Sequence, residues 1–477
     1  MSVLMVQGTS SGVGKSLIAA ALCRHFKRMG LTVAPFKSQN MSLNSAVSIE
    51  GGEMARSQYV QSIACEEIPS VKMNPILLKP ETNGSQIIVL GKPYGYSDAK
   101  DYMKSKKAEL FSLSVNALRS LMNTHNLVVI EGAGSPAEIN IKDRDIVNMK
   151  VAQSVNAPVI LVADIERGGA FAQITGTIEL LEEDERKFVK GYIFNKFMGD
   201  KSLLEDYPER LARKYDIEFF GTMPYIKHKI PEEDSMIDWN KDGEGHLSVD
   251  VIHLPHISNF DDFDPLIWNT RVHFVENGKL EGDIVVIPGT KMTIEDLEWL
   301  KERGLDSEIK SAVKRGSYVV GICGGYQMIG EEISDGQRHV EGINLIPVKT
   351  EFAEEKRISN LKGHEKFTGN NIEIEGYEVH HGISRYTSSV SPFAVVENVN
   401  GKNSNYEDGY VKGKIFGTYF HGLFRNFDFT QEFLNMVRRE KGLEERKVIT
   451  SSLTEEIDRF TDLFESNIDV KSIEKLI

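Results

Sequence analysis

Val3-Leu4-Met5-Val6-Gln7 runs directly into Gly8-Thr9-Ser10-Ser11-Gly12-Val13-Gly14-Lys15-Ser16, and the chain continues with Leu17, Ile18, Leu22 and Phe26 at helical spacing. The order is strand, glycine-rich loop, helix. Glycines let backbone N–H groups turn inward on phosphate oxygens, the lysine neutralises the terminal phosphates, and the serine hydroxyl can complete a Mg²⁺ shell at the helix N-terminus. Gly8, Thr9, Gly12, Gly14, Lys15 and Ser16 are therefore the expected nucleotide-binding residues, with Ser16 also a metal ligand. The loop is one residue longer than the standard Gly-x4-Gly-Lys-Ser, because Thr9 stands where the first glycine would be. A bare glycine turn would not need a strand before it and a helix behind it.

Outward from this loop, β-branched runs alternate with amphipathic stretches: Thr32–Pro35, Gln86–Leu90, Leu127–Glu131, Pro158–Ala163 and Lys190–Phe194. That rhythm predicts an α/β fold, a P-loop domain built on a doubly wound parallel sheet. Lys37–Ser48 is too polar for a core and reads as an active-site loop. The rhythm stops at a charged, Pro- and Gly-containing stretch and resumes at Leu247–His253, Ile284–Pro288 and Tyr318–Cys323, then at Tyr377–His381 and Ile415–Tyr419. The expected organisation is an ATP-binding domain over 1–225, a linker over 226–246, a second α/β domain over 247–440, and C-terminal helices over 441–477 packed on that second domain.

At the C-terminal ends of parallel strands, where such sheets bind ligands, the sequence places three further candidates. Glu131 follows Leu127–Ile130 and is the expected magnesium ligand. Lys37 lies just beyond the second strand, placed to bridge a terminal phosphate and a substrate carboxylate. Asn195 follows Lys190–Phe194, where related folds read the purine.

The second half carries a different chemistry. Tyr318-Val319-Val320-Gly321-Ile322-Cys323-Gly324-Gly325-Tyr326-Gln327 has a buried strand, Gly-x-Cys-x-Gly and a helix start, which is nucleophile-elbow patterning with sulfur in place of oxygen. A thiolate needs a base, and His421 follows the short strand Ile415–Tyr419. The expected oxyanion donors are the backbone N–H groups of Gly289 and Gly324. The cysteine-before-histidine order resembles class I glutamine amidotransferases, most of which place a Glu two residues after the His. Here that position is Leu423, so a backbone carbonyl, another acid such as Glu378, or nothing is left to orient the ring.

Composition sets the bounds. Fifty-six Lys and Arg against 70 Asp and Glu give a net charge of −14, which disfavours nucleic-acid and anionic-membrane partners. No window approaches eighteen consecutive apolar residues and no signal-like leader is evident, so the expected location is the cytoplasm. Cys23, Cys65 and Cys323 are too widely spaced for a disulfide framework or a zinc site. The oligomeric state, a homo-oligomer included, is left open.

The loop spacing resembles that of dethiobiotin synthetase-like enzymes. Partitioning ATPases instead carry a signature lysine five positions before the loop lysine, where this chain has Ser10. More specifically, Pro35-Phe-Lys-Ser-Gln-Asn-Met-Ser-Leu-Asn44, Glu131-Gly-Ala-Gly-Ser-Pro-Ala-Glu-Ile-Asn140, Ala163-Asp-Ile-Glu-Arg-Gly-Gly-Ala-Phe-Ala172, Ile287-Pro-Gly-Thr-Lys291, Gly321-Ile-Cys-Gly-Gly-Tyr-Gln-Met328 and Gly417-Thr-Tyr-Phe-His-Gly-Leu-Phe424 resemble the cobyric acid synthase family, in order, from about residue 1 to about 440. The resemblance implies ATP- and glutamine-dependent amidation of the b, d, e and g carboxylates of adenosylcobyrinic acid a,c-diamide. The corrinoid and L-glutamine are then substrates, Mg²⁺ accompanies ATP, and Lys37, Asn40 and Arg167 face substrate or phosphate. Lys79, Lys92 and Arg144 are further candidates to meet the polyanionic corrinoid. The chain departs from the family at Gly12-Val13, where Asp-Ala is usual, and at Met198, where Arg is usual. Two alternatives stay open: the sibling a,c-diamide synthase, and a P-loop ATPase switch with a decayed amidotransferase domain.

Overall fold

Along the first strand, Ser2–Gly8, Val3 and Met5 enter one apolar cluster while Leu4 and Val6 enter another, so both faces are buried. Period-two alternation then distinguishes two cores rather than core from water, as expected for a parallel sheet covered by helices. The computed structural model describes residues 2–81, 84–97, 107–140, 142, 145–231, 246–389, 391–450 and 452–477. It divides into two units, one of residues 1–42, 54–236 and 451–477, the other of residues 43–53 and 237–450.

In the first unit, six parallel strands run in the order Glu218–Pro224, Val189–Phe197, Val159–Asp164, Ser2–Gly8, Leu127–Glu131, Val33–Phe36. The glycine loop leaves the end of Ser2–Gly8, flanked on either side by Leu127–Glu131 and Val159–Asp164. It feeds the helix Lys15–Arg28, whose Ile18, Leu22 and Phe26 pack under the sheet. The strand expected at Gln86–Leu90 is not in this sheet. Gly84–Val89 pairs antiparallel with Ile76–Glu81 and Lys92–Ser97 in a separate sheet, to which Gln39–Met41 adds in parallel.

The C-terminal segment corrects a second expectation. The helix Leu453–Asn467 belongs to the first unit, not to the second half of the chain. Its Ile457, Phe460 and Phe464 join the cluster beneath Lys15–Arg28, and its acids pair with that helix. Arg24 donates to both oxygens of Asp458 at 2.7 and 3.0 Å, Arg28 pairs with Asp462 at 2.7 Å, and His25 lies 2.9 Å from Glu465. Ser452 and Glu455 close a reciprocal capping box at its start. Beyond it, the Asp469 N–H donates to Phe220 O, so the chain end runs along the edge strand of the sheet.

The second unit has its own sheet, in the order Arg271–Val275, Ser248–Ile252, Ile284–Ile287, Tyr318–Ile322, Ile415–Thr418, Tyr410–Lys412, parallel except for the last pair. Tyr377–His381, expected as a further strand of this kind, lies instead within the long strand Glu373–Tyr386. That strand pairs antiparallel with Val348–Glu365. Residues 43–53, part of the polar loop after the second strand, belong to this unit. Asn360 donates to Ser48 O, and Lys356 forms a buried 2.6 Å ion pair with Glu53. Of the expected linker 226–246, residues 232–245 lie outside the described residues, as does Arg144. Among the described residues, no helix is long and apolar enough to cross a membrane.

Candidate active sites

Gly14 has φ +94°, a conformation that L side chains rarely adopt, and a Cβ there would stand 2.2 Å from Asn195 Nδ2. Only glycine fits. Asn195 Nδ2 donates to Val13 O at 2.8 Å and Lys196 Nζ to Gly12 O at 2.7 Å, so the strand end Asn195-Lys196 holds the loop from outside. The amide expected to read a purine is engaged in bracing the loop backbone. Lys15 Nζ folds back over the loop to donate to Ser10 O (2.9 Å) and Gly134 O (3.2 Å), and Thr9 Oγ1 bonds Gln173.

Glu131 is fully buried at the end of its strand and is surrounded by donors. Ser16 Oγ and Lys37 Nζ each donate to Oε1 at 2.7 Å, while Gln61 and Gln58 donate to Oε2 at 2.5 and 3.1 Å. A carboxylate so buried must be paired or heavily hydrogen-bonded, and here it is both. Gln58 and Gln61 sit three apart on the helix Arg56–Ala64, on one face, a spacing that sequence reading passed over. Asn40 donates to Ser57 Oγ and Gln58 Oε1, both at 2.9 Å, and so joins the same network from behind. Arg167 does not reach it: its side chain is 72% exposed and its nearest acid is Asp164 at 3.7 Å. Lys79 is buried on Ile76–Glu81, whereas Lys92 is exposed.

Hard oxygen donors at one point beside a phosphate-type loop are the set that Mg²⁺ takes, with few protein ligands and the rest from phosphate and water. Ser16 and Glu131, 2.7 Å apart, fit that ion.

In the second unit, Cys323 has φ 51° and ψ −106° at the sharp turn between Tyr318–Ile322 and Gly324–Met328. The flanking glycines are sterically required: a Cβ at Gly325 would meet Ile287 O at 1.9 Å, and one at Gly321 would meet Gly325 O at 2.8 Å. The loop carrying Gly289 comes up beside the turn. A Cβ on Gly324 would lie 3.1 Å from Thr290 N, and one on Gly289 would lie 2.8 Å from His421 Cε1. Cys323, Gly324, Gly289 and His421 thus converge. Asp296 fastens the glycine loop by accepting from Thr290 Oγ1 and by meeting His256 Nδ1 at 2.7 Å.

The acid beside His421 is neither Glu378 nor a residue near Leu423. Asp262 Oδ2 lies 2.7 Å from His421 Nδ1, its Oδ1 accepts from the Gly422 N–H at 2.6 Å, and both side chains are almost fully buried. Burial opposes charge on the imidazole, yet the Asp262 carboxylate and the Cys323 sulfur outweigh it and push His421 up to about 10. Tyr377 stacks on the ring, with centroids 5.3 Å apart, and exchanges both backbone hydrogen bonds with His421. Glu378 faces His380 at 3.1 Å instead. Asp262 escaped sequence reading because it precedes His421 by 159 residues. Its one signal is Asn259-Phe260-Asp261-Asp262-Phe263, two acids set between buried aromatics.

Comparison with known proteins gives one description for each half. Residues 4–237 match the CobQ/CobB/MinD/ParA nucleotide binding domain, and residues 248–429 match the CobB/CobQ-like glutamine amidotransferase domain. The chain is 53% identical over 477 residues to a probable cobyric acid synthase of Thermococcus kodakarensis, covering 98% of each chain. It is 51% identical to its counterpart in Thermococcus gammatolerans, again over 98% of each. The cobyric acid synthase of Thermoanaerobacter sp. is 43% identical, with 99% of this chain and 98% of that one covered.

Proposed function

Because this chain belongs to the cobyric acid synthase family, we propose that it amidates the b, d, e and g carboxylates of adenosylcobyrinic acid a,c-diamide with Mg·ATP and glutamine. The observation that carries the reading is the coexistence in one chain of two complete constellations. Lys15, Ser16, Lys37 and Glu131 stand around a phosphate-type loop, and Cys323 and His421 stand beside Gly289 and Gly324.

In the first unit a corrinoid carboxylate oxygen attacks the γ-phosphorus of ATP, the bond to the β-phosphate oxygen breaks, and ADP leaves an acyl phosphate. Lys15 and the loop N–H groups hold the phosphates in line, and Lys37 draws the two anions together by offsetting their charge. Ser16 and Glu131 would hold Mg²⁺, which would supply neutralisation of the phosphate charge. Ammonia then attacks the acyl carbon and inorganic phosphate departs.

In the second unit His421 Nε2 takes the Cys323 proton and the thiolate attacks the glutamine side-chain amide carbon. The Gly289 and Gly324 N–H groups steady the oxyanion, and the imidazolium returns its proton to the departing nitrogen. Water, deprotonated by His421, then hydrolyses the thioester to glutamate and frees the thiol. The ATPase-switch alternative requires a decayed amidotransferase domain, and an acid paired with His421 speaks against that decay.

Substrate trials test this reading. Supplied with Mg·ATP and glutamine, the protein is expected to convert the a,c-diamide to the fully amidated product with one ADP per amide formed. No turnover of that corrinoid, with glutamine or with ammonium, would overturn the assignment.

A further inference from the structure

We infer that Asp262 is the positioning residue of the glutaminase site, occupying the role left open by Leu423. The inference rests on Cys323 and His421 acting as proposed above. An imidazole accepts a thiol proton at Nε2 only if Nδ1 carries its own proton, and Asp262 Oδ2 at 2.7 Å selects that tautomer. The second oxygen, bound to the Gly422 N–H at 2.6 Å, prevents the carboxylate from rotating away. Ring and acid are held in one orientation, with the Tyr377 ring stacked on the imidazole.

The mount of Asp262 adds an independent argument. The turn Phe260–Phe263 follows Ile257, which forms an isolated bridge with Thr290, and the Ser258 N–H donates to Gly289 O at 2.9 Å. One short segment therefore fixes both the expected oxyanion loop and the acid behind the base. Asn259, at its start, accepts from the Ser45 N–H at 3.2 Å. The position of the acid is set by the same backbone that sets Gly289, so the two cannot drift apart separately.

Before attack the proton passes from Sγ to Nε2, and the thiolate–imidazolium pair, favoured by the raised proton affinity of His421, is the attacking state. Asp262 stays ionised throughout and stabilises the imidazolium. Replacing the carboxylate by an amide keeps the shape but lets the amide NH₂ face Nδ1, which favours the tautomer with its proton on Nε2. That is the wrong one for accepting a proton from sulfur.

The test uses the full chain with Asp262→Asn, Asp262→Glu and Cys323→Ala. Asp262→Asn is expected to lower glutaminase kcat by about 10²–10⁴-fold with little change in KM, and to slow iodoacetamide labelling of Cys323 at neutral pH while moving its pH profile upward. Asp262→Glu should restore part of both. Circular dichroism and thermal melts that match wild type in all three variants certify folding of the second unit. Glutaminase within twofold of wild type in Asp262→Asn, with an unchanged labelling profile, overturns the inference. If Cys323→Ala also retains glutaminase, the underlying assignment of the nucleophile fails instead.

Discussion

The two sites are built in opposite ways. Around the glycine loop, Lys15, Ser16, Glu131, Lys37 and Asn195 come from the loop and from the ends of neighbouring strands and are drawn together by sheet topology, with Gln58 and Gln61 added from a helix. Around Cys323 the parts come from four separated segments, and one of them, Asp262, sits on a short turn outside the sheet. The first kind of site is readable from local spacing because a parallel sheet gathers strand ends in a predictable place. The second is readable only where local strain leaves a mark, as the glycines around Cys323 do.

If the two sites carry separable chemistry, they can be broken one at a time. The largest effect is expected from Cys323→Ala, which should lower glutaminase by at least about 10⁴-fold while ammonium-driven amidation persists. Initial rates with the two nitrogen sources check this. Lys15→Ala is the mirror experiment. Amidation should fall by about 10²–10³-fold with glutamine and ammonium alike, and glutamine hydrolysis assayed without ATP should not change.

Smaller changes sharpen the contrast between a loop clamped from outside and one open to solvent. At Gly14 an alanine meets both a φ of +94° and Asn195 at 2.2 Å, whereas at Gly134, with φ +59°, nothing lies within 4 Å. Gly14→Ala should cost about 1–3 kcal/mol of stability and weaken nucleotide binding. Gly134→Ala should cost less. Thermal melts with and without ATP separate the two.

The finest test concerns protons in the second unit. Burial raises the Asp408 carboxyl from 3.8 to about 7, against the Thr418 hydroxyl and the Tyr419 N–H that favour its charged form, and nearby Glu378 adds to the rise. Its folded-state affinity for a proton exceeds the unfolded one, so between about pH 4 and pH 7 the native state binds more protons and stability falls as pH rises. Wild type should therefore lose melting temperature relative to Asp408→Asn across that window. His421, raised to about 10, adds a loss of the same sign between its ordinary 6.5 and 10, and Asp262→Asn should shrink it.

Much of this fold was legible because apolar runs such as Leu127–Ile130 and Tyr318–Ile322 are bounded by turn residues that fix where a strand must end. What escaped has physical reasons. The pattern in Leu453–Asn467 reveals an apolar stripe but not its partner, and the deciding contacts with Arg24, His25 and Arg28 lie more than four hundred residues away. Gln86–Leu90 has strand composition whichever sheet receives it, since β propensity does not specify pairing direction. The polar stretch Lys37–Ser48 was legible as a functional loop, yet nothing in its composition tells that residues 43–53 join the second unit. Arg167 had motif context but is exposed, and motif context alone does not aim a side chain.

The most direct test of the two-site account supplies amide-¹⁵N glutamine together with unlabelled ammonium to wild type and to Cys323→Ala, with Mg·ATP and adenosylcobyrinic acid a,c-diamide, and weighs the product by mass spectrometry. With ammonium limiting, wild-type product should carry ¹⁵N at the b, d, e and g amides. The variant should make the same product without label once ammonium is raised. Label in the product of Cys323→Ala, or amidation by neither protein, would contradict the division of labour between the sites.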